Sequence, residues 1–175
     1  MSDRVAVFHD GGLVQIGAPD ALYNEPADAF VASFIGENNT LNGVVEQVSG
    51  GECRISLGRG LYVTARAVGI EHEGQHAAVA VRPERIRLAS KGPHDDNCLR
   101  ATVGGRIYLG DHQRLISNLE NGQALTVKVG PELVAATGES VTVTWAPADC
   151  RAFPSEIASG DAKVGGEIQS QRRLT

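Results

Sequence analysis

The sequence predicts a mainly β protein: a small barrel or sandwich preceded by one β-hairpin and two short helices. Three observations lead there. Short runs rich in Val, Ile and Thr recur at regular spacing from about residue 38 to residue 150, each bounded by a turn signal. Glycine is frequent, 21 of 175 residues, enough to punctuate that many turns. The first 36 residues have a different texture, in which a buried-type strand and a turn give way to proline-opened helical segments. A chain of 175 residues suits one ordinary domain, or one small domain with a fragment of another.

Taken in order, Val5-Ala6-Val7-Phe8 is a continuously apolar run, as in a strand covered on both faces. Asp10-Gly11-Gly12 is a turn signal, and Leu13-Val14-Gln15-Ile16 returns as the second strand of a hairpin. Gly17-Ala18-Pro19-Asp20 opens a helix over 19–25. Proline fits its first turn because no N–H is needed there, and Asp20 favours the positive end of the helix dipole. Pro26 stops that helix. A second one over 27–35 carries Phe30, Val31, Phe34 and Ile35 on one face, and Gly36 terminates it. One hairpin and two short helices cannot cover these apolar faces alone, so residues 1–37 read as part of a larger domain.

Strands are expected at Leu41–Val48, Cys53–Leu57, Leu61–Ala65, His76–Val81, Ile86–Leu88, Leu99–Leu109, Arg114–Leu119, Ala124–Val129 and Val141–Trp145. The turns between them fall at Ser49-Gly50-Gly51, Gly58-Arg59-Gly60, Lys91-Gly92-Pro93 and Glu120-Asn121-Gly122, with a helical turn at Pro131–Ala136. Gly104-Gly105 inside a strand predicts a bulge or bend, as a barrel corner requires. Residues 41–88 and 99–145 are loosely alike in layout, which hints at two related halves. Residues 38–152 are therefore one β domain, and 153–175, polar and poor in apolar residues, a flexible tail whose Arg172-Arg173 pair is solvated.

A formal charge of −5 argues against a general nucleic-acid binder, which needs a basic surface. Cys53, Cys98 and Cys150 are odd in number and far apart, with no C-x-x-C pair, and read as ordinary thiols in a reducing compartment. No run approaches the roughly 20 apolar residues of a membrane span, and no signal peptide is expected.

Two groups of residues carry a family resemblance. Met1-Ser2-Asp3-Arg4-Val5-Ala6-Val7, Gln15-Ile16-Gly17-Ala18-Pro19, Leu22-Tyr23-Asn24-Glu25-Pro26 and Phe30-Val31-Ala32-Ser33-Phe34-Ile35-Gly36 resemble the closing segments of the ATPase domain in ABC importers of the sugar, polyamine and iron group. Val81-Arg82-Pro83-Glu84-Arg85-Ile86-Arg87-Leu88 and Tyr108-Leu109-Gly110-Asp111-His112 resemble motifs of the transport-associated OB-like (TOBE) barrel that follows such ATPases. Phe34-Ile35-Gly36-Glu37-Asn38-Asn39 is most similar to the spermidine/putrescine importers. The resemblance implies an OB-like transport-associated barrel preceded by a hairpin and helices left from an α/β ATPase domain. It marks Asp3, Arg4, Gly17, Pro19, Tyr23, Phe34, Gly36, Arg82, Pro83, Glu84, Gly110 and Asp111 as structural or interface positions.

The sequence contains no G-x-x-x-x-G-K-[ST] loop to hold nucleotide phosphates, no L-S-G-G-Q-like signature and no apolar run ending in Asp-Glu. The expectation is a chain that does not hydrolyse ATP, whether truncated or started at an internal methionine, with no cofactor of its own. In the intact family protein ATP and Mg²⁺ are bound elsewhere. The resemblance further implies a cytoplasmic protein held at the inner face of the membrane by permease subunits, a homodimer, and no nucleic-acid partner. The exposed apolar positions Phe30, Phe34 and Ile35 also favour self-association. A small-ligand sensor, for oxyanions or solute, and a stand-alone OB-type nucleic-acid binder are the alternatives.

Other constellations read as ordinary structure. His72 and His76 are four apart but sit in a polar, glycine-containing loop leading into a strand. Asp111-His112 and Asp149-Cys150 lack any nucleophile context and read as surface residues. Arg82, Arg85 and Arg87 with Arg54, Arg59 and Arg66 could make one basic face, but only Tyr62 and Tyr108 are available for base stacking. In Arg82-Pro83-Glu84 the proline ends a strand and its neighbours pair locally.

Overall fold

Val5–His9 (β1) and Gly12–Gly17 (β2) pair as an antiparallel hairpin with a bulge between Val7 and Phe8. This is the opening of the computed structural model, which describes residues 3–88, 97–133 and 135–156. Helix α1 (Pro19–Asn24) starts on its proline, and α2 (Ala29–Phe34) starts one residue after Asp28. The Asp28 carboxylate accepts the Val31 N–H at 2.8 Å, a side-chain cap that shortens the helix expected from residue 27. Val7, Leu22 and Val31 are buried together as a small core of this unit.

The β region consists of β3 (Asn39–Ser49), β4 (Glu52–Gly58), β5 (Leu61–Ala67), β6 (His76–Val81), β7 (Arg87–Leu88), β8 (Asn97–Tyr108), β9 (Gln113–Leu119), β10 (Ala124–Val129), β11 (Ser140–Trp145) and β12 (Cys150–Pro154). Every strand expected from the sequence between residues 41 and 145 is present. β12 was not expected. It runs across the 152/153 boundary and makes Cys150 a buried barrel residue rather than a surface one. The helical turn expected at Pro131–Ala136 is a plain turn among its described residues. The turn at Lys91-Gly92-Pro93, residues 1–2 and the expected tail from 157 onward lie outside the described residues. Gly104-Gly105 does mark a break in register, where β8 slips against β9 between Val103 and Gly105.

Two five-stranded units result. β12-β5-β4-β3-β6 close into a barrel, and β10-β9-β8-β11-β7 form the second sheet. The two halves repeat one plan: β3 to β6 lie in the order 5-4-3-6, and β8 to β11 in the equivalent order 10-9-8-11. After β6 and after β11 comes a 3-10 turn opened by proline, Pro83–Arg85 and Pro147–Asp149. The strand after each turn then joins the other half. β7 pairs with β11 (Val143 opposite Leu88), and β12 pairs with β6 (Val79 opposite Ala152). The loose likeness of the two halves in sequence is thus a real structural repeat with its last strands exchanged.

A second pair of equivalent bridges stitches the halves. Asn39 at the start of β3 donates from Nδ2 to the Thr126 carbonyl (2.8 Å) and accepts the Thr126 N–H on Oδ1 (2.6 Å). Asn97 at the start of β8 does the same to Thr64 of β5, at 2.9 and 2.7 Å. Both asparagines are buried, so each amide depends on these main-chain groups for its hydrogen bonds. The shared core between the units includes Leu41, Ile55, Val63, Leu99, Leu115, Val127 and Trp145. At Gly43 the strands approach so closely that a Cβ would sit 2.4 Å from the Ser56 carbonyl oxygen. Only glycine fits there.

Candidate functional site

The junction between the N-terminal unit and the barrel is organised around Arg82. β6 ends at Val81, and Pro83, with no N–H to give a ladder, opens the 3-10 turn. That geometry turns the Arg82 side chain back into the junction, where it is almost fully buried. Its Nη1 donates to the carbonyls of Ala32 (2.9 Å) and Glu37 (3.0 Å), and its Nη2 to that of Tyr23 (3.2 Å). The guanidinium carbon lies 4.2 Å from the centre of the Tyr23 ring. One planar cation therefore collects the C-terminal carbonyl of α1's last turn, one from α2 and one from the linker.

The surrounding groups complete the clasp. The Tyr23 hydroxyl donates to the Glu84 carboxylate. Burial, then that acceptor, pushes the Tyr23 phenol above its ordinary range, while burial pulls the Arg82 guanidinium down. Gly36 has φ +82°, and a Cβ on it would lie 3.1 Å from the Tyr23 ring. Glycine is needed for the turn and for the ring together. The Glu37 carboxylate meets Arg114 of β9 at 2.8 Å, so the linker is held from both sides. Ala32, Ala80 and Phe153 pack as a buried cluster between α2 and the barrel.

Beside the clasp opens a cleft of about 310 Å³, walled by Tyr23, Pro26 and Asn38 and by Arg66, Arg85 and Arg151. Arg85 contacts Asp149 at 3.4 Å, and Arg151 reaches Glu25 only at 3.9 Å.

Of the positions marked by sequence, the structure brings Tyr23, Gly36, Arg82, Pro83 and Glu84 into this junction. Pro19 starts α1, and Gly17 packs against Leu22, its missing Cβ only 3.1 Å from that side chain. Phe34 is 63% exposed beside Phe30. Asp3 and Arg4 are exposed before β1. Gly110 and Asp111 belong to the β8–β9 turn instead, where His112 bonds Asp111 at 2.6 Å and holds its carboxyl below the usual range.

Three sequence readings need correction. Arg82 and Glu84 do not pair with each other: the arginine goes to main-chain carbonyls, and the glutamate to Tyr23. The six arginines do not form one basic face, since Arg82 is buried, Arg54 lies over Tyr62, and Arg59 donates to the Glu120 carbonyl. Asp149 is not a free surface carboxylate but the partner of Arg85. Arg151 and Asn38 were missed altogether. His72 lies in the turn before β6 and His76 is its first residue, as the loop reading had it.

A closed β barrel that exchanges its last strand with a second five-stranded sheet, clasped to a hairpin and two short helices, defines a small β domain of the OB-like kind. Residues 79–153 match the TOBE domain family model. The chain is a relative of the ATP-binding subunits of ABC importers and resembles their C-terminal part. It is 37% identical over 155 residues to a spermidine/putrescine import ATP-binding protein of Rubrobacter xylanophilus, covering 86% of this chain and 40% of that one. Its counterpart in Ruegeria pomeroyi is 36% identical over 163 residues (90% and 41%), and that of Pseudomonas aeruginosa 35% over 153 (83% and 42%). The chain thus spans about two fifths of these relatives. Among solved structures, the cytoplasmic molybdate-binding protein ModG superposes with a TM-score of 0.59 at 17% identity, over 67% of this chain and 96% of that one, a likeness of fold.

Proposed function

We propose that this chain is the C-terminal regulatory and assembly region of the ATP-binding subunit of a polyamine importer, and that it does not itself hydrolyse ATP. The observation that carries this reading is the exposed apolar face of the N-terminal unit. That unit has a core of its own and is clasped to the barrel by Arg82, yet Phe8, Leu13, Ile16 and Phe34 stay exposed by 64, 54, 48 and 63%. A hairpin and two helices present such a face where the rest of a domain covers it. The division at residue 37 follows the same logic: a piece of the ATPase domain, then the barrel domain, which β12 carries past residue 152 to Pro154.

In this reading ATP and Mg²⁺ are bound by the missing part of the domain. Permease subunits hold the whole at the cytoplasmic face of the membrane, and two copies associate. Among the described residues no helix is long and apolar enough to cross a membrane. The decisive test is the DNA upstream of the Met1 codon. An in-frame stretch encoding a phosphate loop and a signature sequence supports the reading. A stop codon and ribosome-binding site immediately before Met1 overturns it.

A further inference from the structure

The barrel closes on a pair of like charges. β12 and β5 meet in parallel through only two residue pairs, and one of them sets Arg151 directly beside Arg66. Neighbouring strands run roughly 4.8 Å apart, so two guanidinium groups rooted there repel, and like charges directly opposite destabilise a sheet. Neither is held in a close ion pair, although Glu52 of β4 stands opposite Arg66 in the register. Arg151 is mostly buried, with its side chain 14% exposed, and its one carboxylate is Glu25, 3.9 Å away and itself 72% exposed. Arg66 has no hydrogen-bond or ion-pair partner among the described residues. Burial first, then the Arg66 charge, pulls the Arg151 guanidinium below its ordinary range.

Both arginines line the 310 Å³ cleft, together with Arg82 and Arg85. Against these four stand the carboxylates of Glu25 and Asp149, so the lining carries two positive charges in excess. Asp149 is engaged by Arg85, and Glu25 is free to swing into solvent. Tyr23, Pro26, Ala32 and Ala80 supply apolar wall, with room for more than a bare inorganic ion.

We propose that this cleft binds a compact doubly charged phosphate group, taken between Arg66 and Arg151, with the organic part of a small phosphate monoester resting on the Tyr23–Pro26 wall. Two guanidinium forks side by side match tetrahedral oxygens, and the dianion cancels both the excess charge and the repulsion at the seam. Binding there joins β5, β12 and the α1 end, so it tightens the junction that Arg82 clasps. The site stands on this geometry whether or not the chain serves an importer.

The test is calorimetric titration and thermal denaturation of the purified chain with inorganic phosphate, glycerol 3-phosphate and AMP, with spermidine as the cationic control. A saturable heat and a raised melting temperature with at least one phosphate, and none with spermidine, are expected. Tighter binding of an ester than of inorganic phosphate assigns the source as a phosphorylated metabolite, and the reverse order assigns it as free phosphate. Arg66→Gln, which is exposed and should not disturb folding, and Arg151→Gln should each weaken binding at least tenfold. Arg54→Gln, engaged with Tyr62 elsewhere, should leave it within twofold. No saturable binding at millimolar phosphate, or equal weakening by Arg54→Gln, overturns the proposal.

Discussion

Replacing Arg82 with methionine keeps an unbranched apolar stem and removes the guanidinium donors. Three main-chain carbonyls, those of Tyr23, Ala32 and Glu37, then lose a charged partner inside a largely buried junction. Hydrogen bonds from charged donors contribute about 1.5–3 kcal/mol each, and they do not add fully when they share one group, so the junction loses roughly 3–5 kcal/mol. The Ala32–Ala80–Phe153 contact and the Glu37–Arg114 pair remain and hold the linker near the barrel. The loss therefore falls on docking of α1 and α2, not on the barrel core. At about 1.4 kcal/mol per decade, the undocked population rises roughly 100- to 4,000-fold. Each helix has only 6 residues, and such short helices do not persist in water alone, so undocking exposes their amides. Amide hydrogen exchange should then quicken at least about a hundredfold over residues 19–36, while β3, β4 and β5 keep their protection. Arg82→Lys should recover less than half of the loss, because one ammonium cannot serve three spread acceptors. A folded R82M protein whose α1 and α2 amides exchange within threefold of the parent would refute the clasp.

Further expectations concern the barrel. Asn39→Ala and Asn97→Ala each strand a part-buried Thr N–H and carbonyl, and each should cost about 2–4 kcal/mol in urea denaturation, with similar values because the bridges are equivalent; a difference above about 2 kcal/mol would break the equivalence. Gly43→Ala drives a methyl into the Ser56 carbonyl and should cost at least roughly 2 kcal/mol by the same assay, whereas a tolerated alanine would mean that β3 and β4 can part there. Burial pushes the Cys53 thiol up to about 11 and that of Cys150 up to about 12. Unfolded thiols ionise near 8.5, so the folded state holds these protons more tightly; the stability they lend is complete below that pH and is lost as pH rises through about 11–12. At pH 8 a thiol reagent should modify Cys98 alone in the native chain and all three cysteines after unfolding, read by mass spectrometry.

Where pattern alone fixes structure, the sequence was legible. Alternation in Leu61–Ala65 and Ala124–Val129, the Asp-Gly turn and the proline-opened helix are local signals, and each gave its element. β12 escaped because Arg151-Ala152-Phe153 is too short for a period to show and lies beside a polar stretch. The available signal was the repeat: Val81-Arg82-Pro83-Glu84-Arg85-Ile86-Arg87-Leu88 aligns without gaps on Trp145-Ala146-Pro147-Ala148-Asp149-Cys150-Arg151-Ala152. Ile86 and Cys150 are buried alike in it. The junction was half legible. Family-type positions pointed to Tyr23, Gly36 and Arg82, but spacing could not show that Arg82 turns away from Glu84 to take carbonyls from segments 45 to 59 residues distant. Nor could it place Arg66 beside Arg151, since a parallel pairing between exchanged halves leaves no trace along the chain.

The exchange of last strands also governs how the chain reaches its fold. As residues emerge in order during synthesis, β3 to β6 can pair at once, yet their barrel stays open until the entire second sheet has been made and β12 follows. Through that interval β5 and β6 present bare edges, the kind of surface on which nascent chains stick to one another. Closure is a single late event that locks both halves together, so neither half can serve as a folding unit by itself. Cutting the chain between β7 and β8 should therefore yield two fragments that become ordered only when mixed.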